Sequence, residues 1–318
     1  MSTATDTVRP AEATPPILSV IVVIVSDTIE RATSGHLEGC LEAMVSQSGA
    51  PAMEVIVPHH RWVAGMAEAQ RRFRGVRFIG VDDLRHRPGE GRDHHDELRA
   101  RGLAAARGDI VAMLEDHARP DAGWAASLTS AHRASPAAIG GAIENGIDRA
   151  LNWAVYFCDF GRYQNPLPPG PSAFASDANV SYKRAALEAI RPVWGQSFHE
   201  TAVHQALAER GDTVVLSPEI VVRQWRRGLR PGLALRERFV WGRSYAATRS
   251  TLVGRSRAIA YAALAPALLP LLLLRMLRTV LRKGRCRGAF LRALPLTALL
   301  TASWSLGELT GYVTGDTR

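Results

Sequence analysis

The apolar residues along positions 17–225 alternate between two periods. Short runs rich in Val, Ile and Leu, typical of buried strands, alternate with stretches in which apolar positions recur at helical spacing. The predicted strands are 17–25, 53–58, 76–81, 109–114, 137–143 and 212–218. The predicted helices are 36–47, 92–107, 121–134, 183–190 and 199–210. This alternation predicts an α/β domain with a mostly parallel central sheet sandwiched by helices.

The pattern changes after about residue 235, where the apolar runs become longer. Residues 258–274 and 293–307 carry no charged side chain, and a basic stretch lies between them. Both runs are shorter than the roughly 20 residues that cross a bilayer comfortably. Pro266 and Pro270 are expected to interrupt the first run. The chain therefore divides into a disordered tail (1–16), an α/β domain (17–235) and a C-terminal hydrophobic helical region (236–318).

The C-terminal region allows three arrangements. A hairpin spanning the membrane would put its basic loop on the side opposite the α/β domain, although basic loops prefer the cytoplasm. Helices lying in the plane of the membrane, with arginines against anionic headgroups, avoid this conflict. The third arrangement is a buried helical hairpin in a soluble oligomer. We expect membrane association, with the α/β domain on the cytoplasmic side.

The charge balance favours an anionic partner. The 318-residue chain has 39 basic and 30 acidic residues, a net charge of +9 and a pI near 10.2. Only Lys183 and Lys283 are lysines, so the basic side chains are almost all arginine, which suits phosphate recognition. Because the arginines are spread along the chain and the tail is apolar, a nucleotide or a lipid is favoured over nucleic acid. The three cysteines lie far apart and indicate neither a disulfide framework nor a metal site.

Polar residues follow several predicted strands at the point where each strand ends. Positions 26–27, 59–62 and 115–117 all occupy this edge, where open α/β sheets bind their ligands. Glu115, Asp116 and His117 could together hold Mn²⁺ or Mg²⁺. A solvated loop is the alternative. The sequence lacks a glycine-rich dinucleotide fingerprint after the first strand and a Walker phosphate loop, which excludes those nucleotide-binding classes.

Other histidine and arginine clusters give weaker signals. "HETAVH" (199–204) has its histidines five positions apart instead of four, so it does not match the zinc-protease motif. The pairs at 59–60 and 94–95 could suggest zinc, but adjacent histidines on loops are expected to be solvated. "RQWRRGLRPG" (223–232) either closes over a diphosphate or meets the membrane.

Five segments together resemble family 2 glycosyltransferases of the A-type nucleotide-sugar-binding fold. The central segment, "ELRARGLAAARGDIVAMLEDHARPDAGWAASLTSAH" (97–132), is similar to the family's helix, turn and strand leading to an acidic triplet before "P-x-x-W". "LSVIVVIV" and "MEVIVP" resemble its first two strands. "DANVSYKRAAL" (177–187) resembles "G-x-N-x-S-Y-R-R", and "FHETAVHQALAERGDTVVLSPEIVVR" resembles the helix and strand that close the cleft.

The resemblance implies a role for particular residues. Asp116 and His117 would bind Mn²⁺ or Mg²⁺, and Glu200 would be the catalytic base. The residues implied to bind the nucleotide-sugar donor are Ser26, Asp27, His59, Arg99, Glu115, Asp116, Asp177 and Asn179. The implied activity is inverting, metal-dependent transfer of a sugar from a nucleotide diphosphate to a lipid-linked, saccharide or other hydroxyl or phosphate acceptor at a membrane.

The sequence departs from the family pattern at three sites, the first of which is "VSDT" (25–28), where the family usually has "P-x-Y-N" after the first strand. His59 and His60 stand where the family has two aspartates after the second strand, and the triplet ends in His117 instead of aspartate. These departures leave an alternative function open, that of a non-catalytic, membrane-bound protein that binds sugar nucleotides on a degenerate glycosyltransferase fold.

Overall fold

The computed structural model describes residues 15–88 and 92–315, so the predicted tail lies almost wholly outside the described residues. Within them, nine strands form one sheet in the order β3-β2-β1-β4-β8-β6-β9-β5, with β7 paired to β9. The strands are β1 (Leu18–Val23), β2 (Met53–His59), β3 (Arg77–Gly80), β4 (Ile110–Glu115), β5 (Ala118–Pro120), β6 (Ala138–Asn145), β7 (Gly170–Pro171), β8 (Asn179–Lys183) and β9 (Val214–Gln224). The predicted α/β fold is confirmed.

Helices cover both faces of this sheet. They are α1 (Gly35–Val45), α2 (Met66–Arg72), α3 (Asp93–Ala105), α4 (Trp124–Ala131), α5 (Ala150–Asp159), α6 (Arg184–Ala189), α7 (Arg191–Trp194) and α8 (Glu200–Glu209). Successive side chains of β1 enter opposite cores, because side chains alternate along a strand. Val20 packs in the core that includes α1 and α4, whereas Ile21 packs in the core that includes α3 and α8. Burial on both faces explains the continuous apolar character of β1.

The two halves of the sheet differ in strand direction. Strands β3, β2, β1 and β4 run parallel, as predicted. Strand β8 lies antiparallel between β4 and β6, and β9 is parallel to β6 but antiparallel to β5 and β7. Sequence analysis did not identify β5, β7 and β8, because they are short and β8 carries buried polar residues at alternate positions, Asn179 and Ser181.

The C-terminal region consists of three long helices, α9 (Pro231–Val253), α10 (Arg255–Lys283) and α11 (Arg287–Thr314). Helix α10 continues through Pro266 and Pro270, so the expected interruption was wrong. Its 29 residues span about 43 Å at the usual helical rise. Helices α10 and α11 are long and apolar enough to cross a membrane, by length and composition alone. In the most apolar 18-residue segment of each helix, the buried share is 6% for α10 and 39% for α11.

The basic stretch between α10 and α11 contacts the α/β domain. The Lys283 ammonium group donates to the Pro166 carbonyl at 2.9 Å, and the Arg285 guanidinium donates to Glu144 at 3.0 Å. Arg292 donates to Asp148 at 2.7 Å. Helix α10 therefore ends beside the domain from which α9 departs, and the basic stretch lies on the same side as that domain.

Candidate functional site: a cleft at the carboxyl edge of the sheet

A cleft of about 990 Å³, including its open mouth, lies where β1 and β4 end. These strands are parallel neighbours in register, with Val23 opposite Glu115, so the residues that follow them reach one edge of the sheet. Helix α3, the segment before β8, the start of α8, helix α5 and helix α9 complete the walls. Five of the residues predicted from sequence line this cleft, and they are Arg99, Glu115, His117, Asp177 and Glu200.

The acidic triplet divides between the cleft and the interior. Glu115 and His117 line the cleft, and His117 Nε2 lies 3.3 Å from Glu115 Oε2. Asp116 is fully buried, and its carboxylate accepts hydrogen bonds from the backbone N–H of Val25, at 3.1 Å, and from the Ser26 hydroxyl. His117 Nδ1 lies 3.2 Å from Asp116 Oδ1. Asp116 therefore orients the His117 ring through its Nδ1 atom. The role of Asp116 as a metal ligand stays a prediction.

His117 carries positive charge in this arrangement. Burial opposes protonation of its ring, but hydrogen bonds to Asp116 and Glu115 outweigh burial and raise its pKa to about 9. The same contact with His117, together with the Ser26 hydroxyl, offsets burial and holds the pKa of Asp116 below its usual value. The triplet is thus two carboxylates bridged by an imidazolium.

Arg99, on α3, contacts three acidic groups. Its guanidinium donates to Asp96 Oδ1 at 2.8 Å and lies 2.8 Å from Asp177 Oδ2 and 3.9 Å from Glu115 Oε1. Asp96 also contacts His199 Nδ1 at 2.9 Å, just before α8 begins. The network joins α3, the segment before β8 and the start of α8, so the position of Arg99 is fixed from several sides.

Glu200 sits beside a second carboxylate. Its Oε2 accepts a hydrogen bond from the backbone N–H of Asp177 at 2.8 Å. Burial and the negative charge of Asp177 raise the pKa of Glu200 to about 8, although Arg92 and Arg99 act in the opposite direction. A carboxyl group with a pKa in this range can accept a proton near neutral pH, as a general base must.

Several cleft residues were missed by sequence analysis. Arg92, Arg226 and Trp241 line the cleft, and the Arg92 guanidinium lies 5.8 Å from the centre of the Trp241 ring. Arg226 belongs to the segment "RQWRRGLRPG" (223–232), and closure of this segment over a diphosphate was one of its two interpretations. The sequence therefore contained a signal for Arg226. Arg92 precedes α3 and Trp241 lies on α9, and nothing in their local sequence distinguishes them.

Unpartnered polar atoms also face this region. Asn152 Oδ1, Gln224 Oε1 and Trp241 Nε1 are buried and have no hydrogen-bond partner within the described part of the chain, and all three residues line the cleft. Buried polar groups are nearly always hydrogen-bonded. The residues that line the cleft thus include two acceptors and one donor that the described part of the protein leaves without a partner.

Besides Asp116, four predicted donor-binding residues do not line the cleft. Asn179 is 1% exposed, and its side-chain amide donates to the carbonyls of Ala142 and Ile220 while it accepts from Trp124 Nε1 at 3.0 Å. Ser26 is bound to Asp116, and the His59 ring packs edge-on to Phe78. The fourth, Asp27, is 1% exposed and contacts two histidines. Their roles in binding a donor stay predictions.

The histidine pair of α3 is buried, so the expectation that it is solvated was wrong. His94 and His95 are 0% and 3% exposed. Their Nε2 atoms lie 3.0 Å and 2.7 Å from the same oxygen of Asp27, Oδ1. One ligand atom from each residue falls within 4.8 Å of the others, which is close enough to hold one metal ion.

The likeness of this chain to known proteins is found among solved structures. No family model matches the sequence, and no curated protein matches it. Among solved structures, the chain is similar to a mannosyltransferase from Pyrobaculum calidifontis in complex with GDP-Man and Mn²⁺, with 16% sequence identity, a TM-score of 0.44, and coverage of 96% of this chain and 77% of that one.

Proposed function

We propose that this protein is a glycosyltransferase that moves a sugar from a nucleotide diphosphate to an acceptor at a membrane surface. One observation carries the proposal, which is that a single cleft joins a cationic wall to the carboxyl group of Glu200, whose pKa is raised. The sequence resemblance to family 2 glycosyltransferases supports the same conclusion from the order of its five segments.

The cationic groups suit a diphosphate. Arg92, Arg99, Arg226 and the protonated His117 all line the cleft. As the bond between sugar and diphosphate breaks, negative charge develops on the departing oxygen. Fixed cations in a cleft with little water stabilise that charge more strongly than solvent does. The aromatic rings of Tyr156 and Trp241 provide apolar surface in the same cleft.

A divalent ion such as Mn²⁺ or Mg²⁺ would be held by Glu115 and His117. Glu115 Oε2 and His117 Nε2 are 3.3 Å apart and line the cleft, which fits two ligands of one ion, whereas the oxygens of Asp116 are already bonded to the protein. When bound, the ion would neutralise charge on the leaving diphosphate. His117 can be a ligand only in its neutral form, so ion binding and protonation of His117 compete.

Glu200 is the base for a hydroxyl acceptor. The acceptor oxygen attacks the anomeric carbon of the sugar, the bond from that carbon to the diphosphate oxygen breaks, and the hydroxyl proton passes to the Glu200 carboxylate. Attack from the side opposite the diphosphate inverts the configuration. A phosphate acceptor is already ionised and needs no base, so the dependence on Glu200 separates the two acceptor classes.

The C-terminal helices would lie on the membrane. Helix α10 exposes leucines along its length, including Leu264, Leu271 and Leu281, and basic side chains lie near both its ends. Helix α9 packs beside α11 and carries several arginines, among them Arg238 and Arg243. Charged side chains are costly inside a bilayer, so α9 and α11 together are poorly suited to cross one. An in-plane arrangement keeps the exposed face of α10 in lipid and its arginines at anionic headgroups, which favours the cytoplasmic leaflet.

The decisive assay is sugar transfer from radiolabelled nucleotide sugars to a membrane extract, with and without Mn²⁺. We expect Glu200→Gln to lose at least about a hundredfold in rate with a hydroxyl acceptor, the usual contribution of a general base. Glu209→Gln is the matched control, because Glu209 is exposed at the other end of the same helix. Binding of donor without any transfer would instead support the non-catalytic alternative.

A further inference from the structure

A second cluster of ligand-type side chains lies next to the cleft and is not used by the proposed transfer. Asp27 comes from the loop after β1, and His94 and His95 come from the first turn of α3. All three are at least 97% buried, and the two imidazole rings lie 4.0 Å apart. Chain segments that are distant in sequence therefore bring two nitrogen ligands and one carboxylate together in the interior.

The orientation of the histidines is unusual for neighbours on a helix. Consecutive positions on a helix project in different directions and do not normally face one another. Here both rings turn so that their Nε2 atoms approach one oxygen of Asp27, at 3.0 Å and 2.7 Å. The other oxygen, Asp27 Oδ2, is buried and has no hydrogen-bond partner within residues 15–88 and 92–315. A buried carboxylate oxygen without a partner is costly, and a cation would satisfy it.

We propose that Asp27, His94 and His95 bind one divalent transition-metal ion, for which Zn²⁺ is the probe. Imidazole and carboxylate ligands suit zinc and the neighbouring first-row metals, and three protein ligands leave a further position for water. Ligand atoms about 2.0–2.1 Å from a shared tetrahedral ion lie roughly 3.3 Å apart, so each imidazole would move away from Asp27 by a few tenths of an ångström to admit the ion.

The ion would tie the β1 loop to the start of α3. Arg99 lies one turn further along this helix, and His95 itself lines the cleft. The metal would thus fix the wall from which Arg99 enters the cleft. The site is separate from Glu115 and His117, and it does not depend on the protein being a glycosyltransferase.

The test is the zinc content of the purified full-length protein after equilibration with Zn²⁺ and removal of free metal. We expect wild type to retain one Zn²⁺ per chain, and Asp27→Asn and His94→Asn each to bind it more than about tenfold more weakly. His132→Asn is the matched control, because His132 is also buried but contacts Ser181 at a different place. The double variant Glu115→Gln/His117→Asn should also retain the ion.

Measurements on wild type alone guard against variants that fail to fold. Zn²⁺ should raise the midpoint of thermal unfolding, a chelator should lower it, and Co²⁺ should give the visible absorption of a nitrogen- and oxygen-ligated ion. Wild type that retains no Zn²⁺ and shows no thermal shift would overturn the proposal, and the two histidines would then simply donate N–H groups to Asp27. Loss of zinc in the Glu115/His117 variant with retention in Asp27→Asn would also overturn it.

Discussion

At the scale of single residues, Glu200 and Asp177 are central to the proposed chemistry of the cleft. The two carboxyl groups are linked through the Asp177 backbone, and Arg99 neutralises Asp177 at 2.8 Å. Glu200 lies beside Asp177, and its pKa is raised to about 8. Burial and the like charge of Asp177 raise the pKa of Glu200, which suits the role of base that we propose for it.

The pH dependence of transfer follows from that pKa. Protonated Glu200 cannot accept a proton, so kcat/KM for a hydroxyl acceptor should rise about tenfold per pH unit below pH 8 and stop rising once Glu200 is ionised. Asp177→Asn removes the like charge that raises the pKa of Glu200, so this limb should move to lower pH. A pH profile at saturating donor checks both. An unchanged limb in Asp177→Asn would show that another group is titrating.

Sequence reasoning identified site residues unevenly. Glu115 and His117 were predicted from their position at the end of a strand as well as from the family resemblance, whereas Arg99, Asp177 and Glu200 were predicted from the resemblance alone. All five line the cleft. The same alignment could not show that Asn179 uses its amide inside the sheet, because that depends on two carbonyls from distant strands.

At the scale of elements, α9 and α11 pack with their backbones in close contact. A Cβ atom added at Gly307 would lie 2.1 Å from the Phe239 carbonyl oxygen, and one at Gly311 would lie 2.3 Å from that of Arg243. Ser303 Oγ also donates to the Leu235 carbonyl at 2.7 Å. The pairing couples the C-terminal helix to the chain segment that leaves the cleft, and it needs glycine on α11.

Gly307→Ala should therefore destabilise the protein. The methyl group would meet backbone atoms that cannot move aside, so we expect a loss of about 1–3 kcal/mol in the free energy of unfolding. Gly288→Ala lies on the same helix, where an added Cβ meets nothing within 4 Å, and it should be neutral. Denaturant unfolding of the detergent-solubilised protein measures both. Equal stability of Gly307→Ala and Gly288→Ala would contradict the close packing.

The helices of the C-terminal region were predicted more easily than their arrangement. Two uncharged runs indicated apolar helices, and α10 and α11 are present. Both helices are longer than the uncharged runs, because basic residues extend α10 at both ends and residues 308–314 extend α11 at its end. Pro266 and Pro270 do not break α10. Helical propensity is local, whereas the contacts of Lys283 and Arg285 with the α/β domain are not, so the position of the basic stretch could not be predicted.

At the scale of the whole molecule, one surface is unlike the rest. Helix α10 exposes leucines along its length, and α11, against which it packs, also exposes large apolar side chains, among them Leu299 and Leu306. The alternation of strands and helices predicted the α/β architecture, because each element must bury its apolar side against the sheet. The reversal of strand direction at β8 was not predictable, since strand pairing depends on contacts between distant segments.

Membrane binding should depend on α10. We expect the double variant Leu264→Glu/Leu271→Glu to bind anionic vesicles much more weakly than wild type, because it places charge on the face that would enter lipid. Both side chains are more than half exposed, so folding should be preserved. Val45→Glu, an exposed apolar position on α1, is the control. Vesicle co-sedimentation measures the effect. Equal binding by all three proteins would place the membrane contact elsewhere.

Calorimetric titration with nucleotide diphosphate sugars tests the central claim most directly. We expect one of them to bind wild type, and Arg99→Ala to weaken that binding at least about tenfold, because a charge-assisted contact with the diphosphate is lost. Arg101→Ala should bind normally, since Arg101 lies on the same helix but pairs with exposed Asp83. If no nucleotide sugar binds, or if both variants bind as wild type does, the cleft is not the donor site.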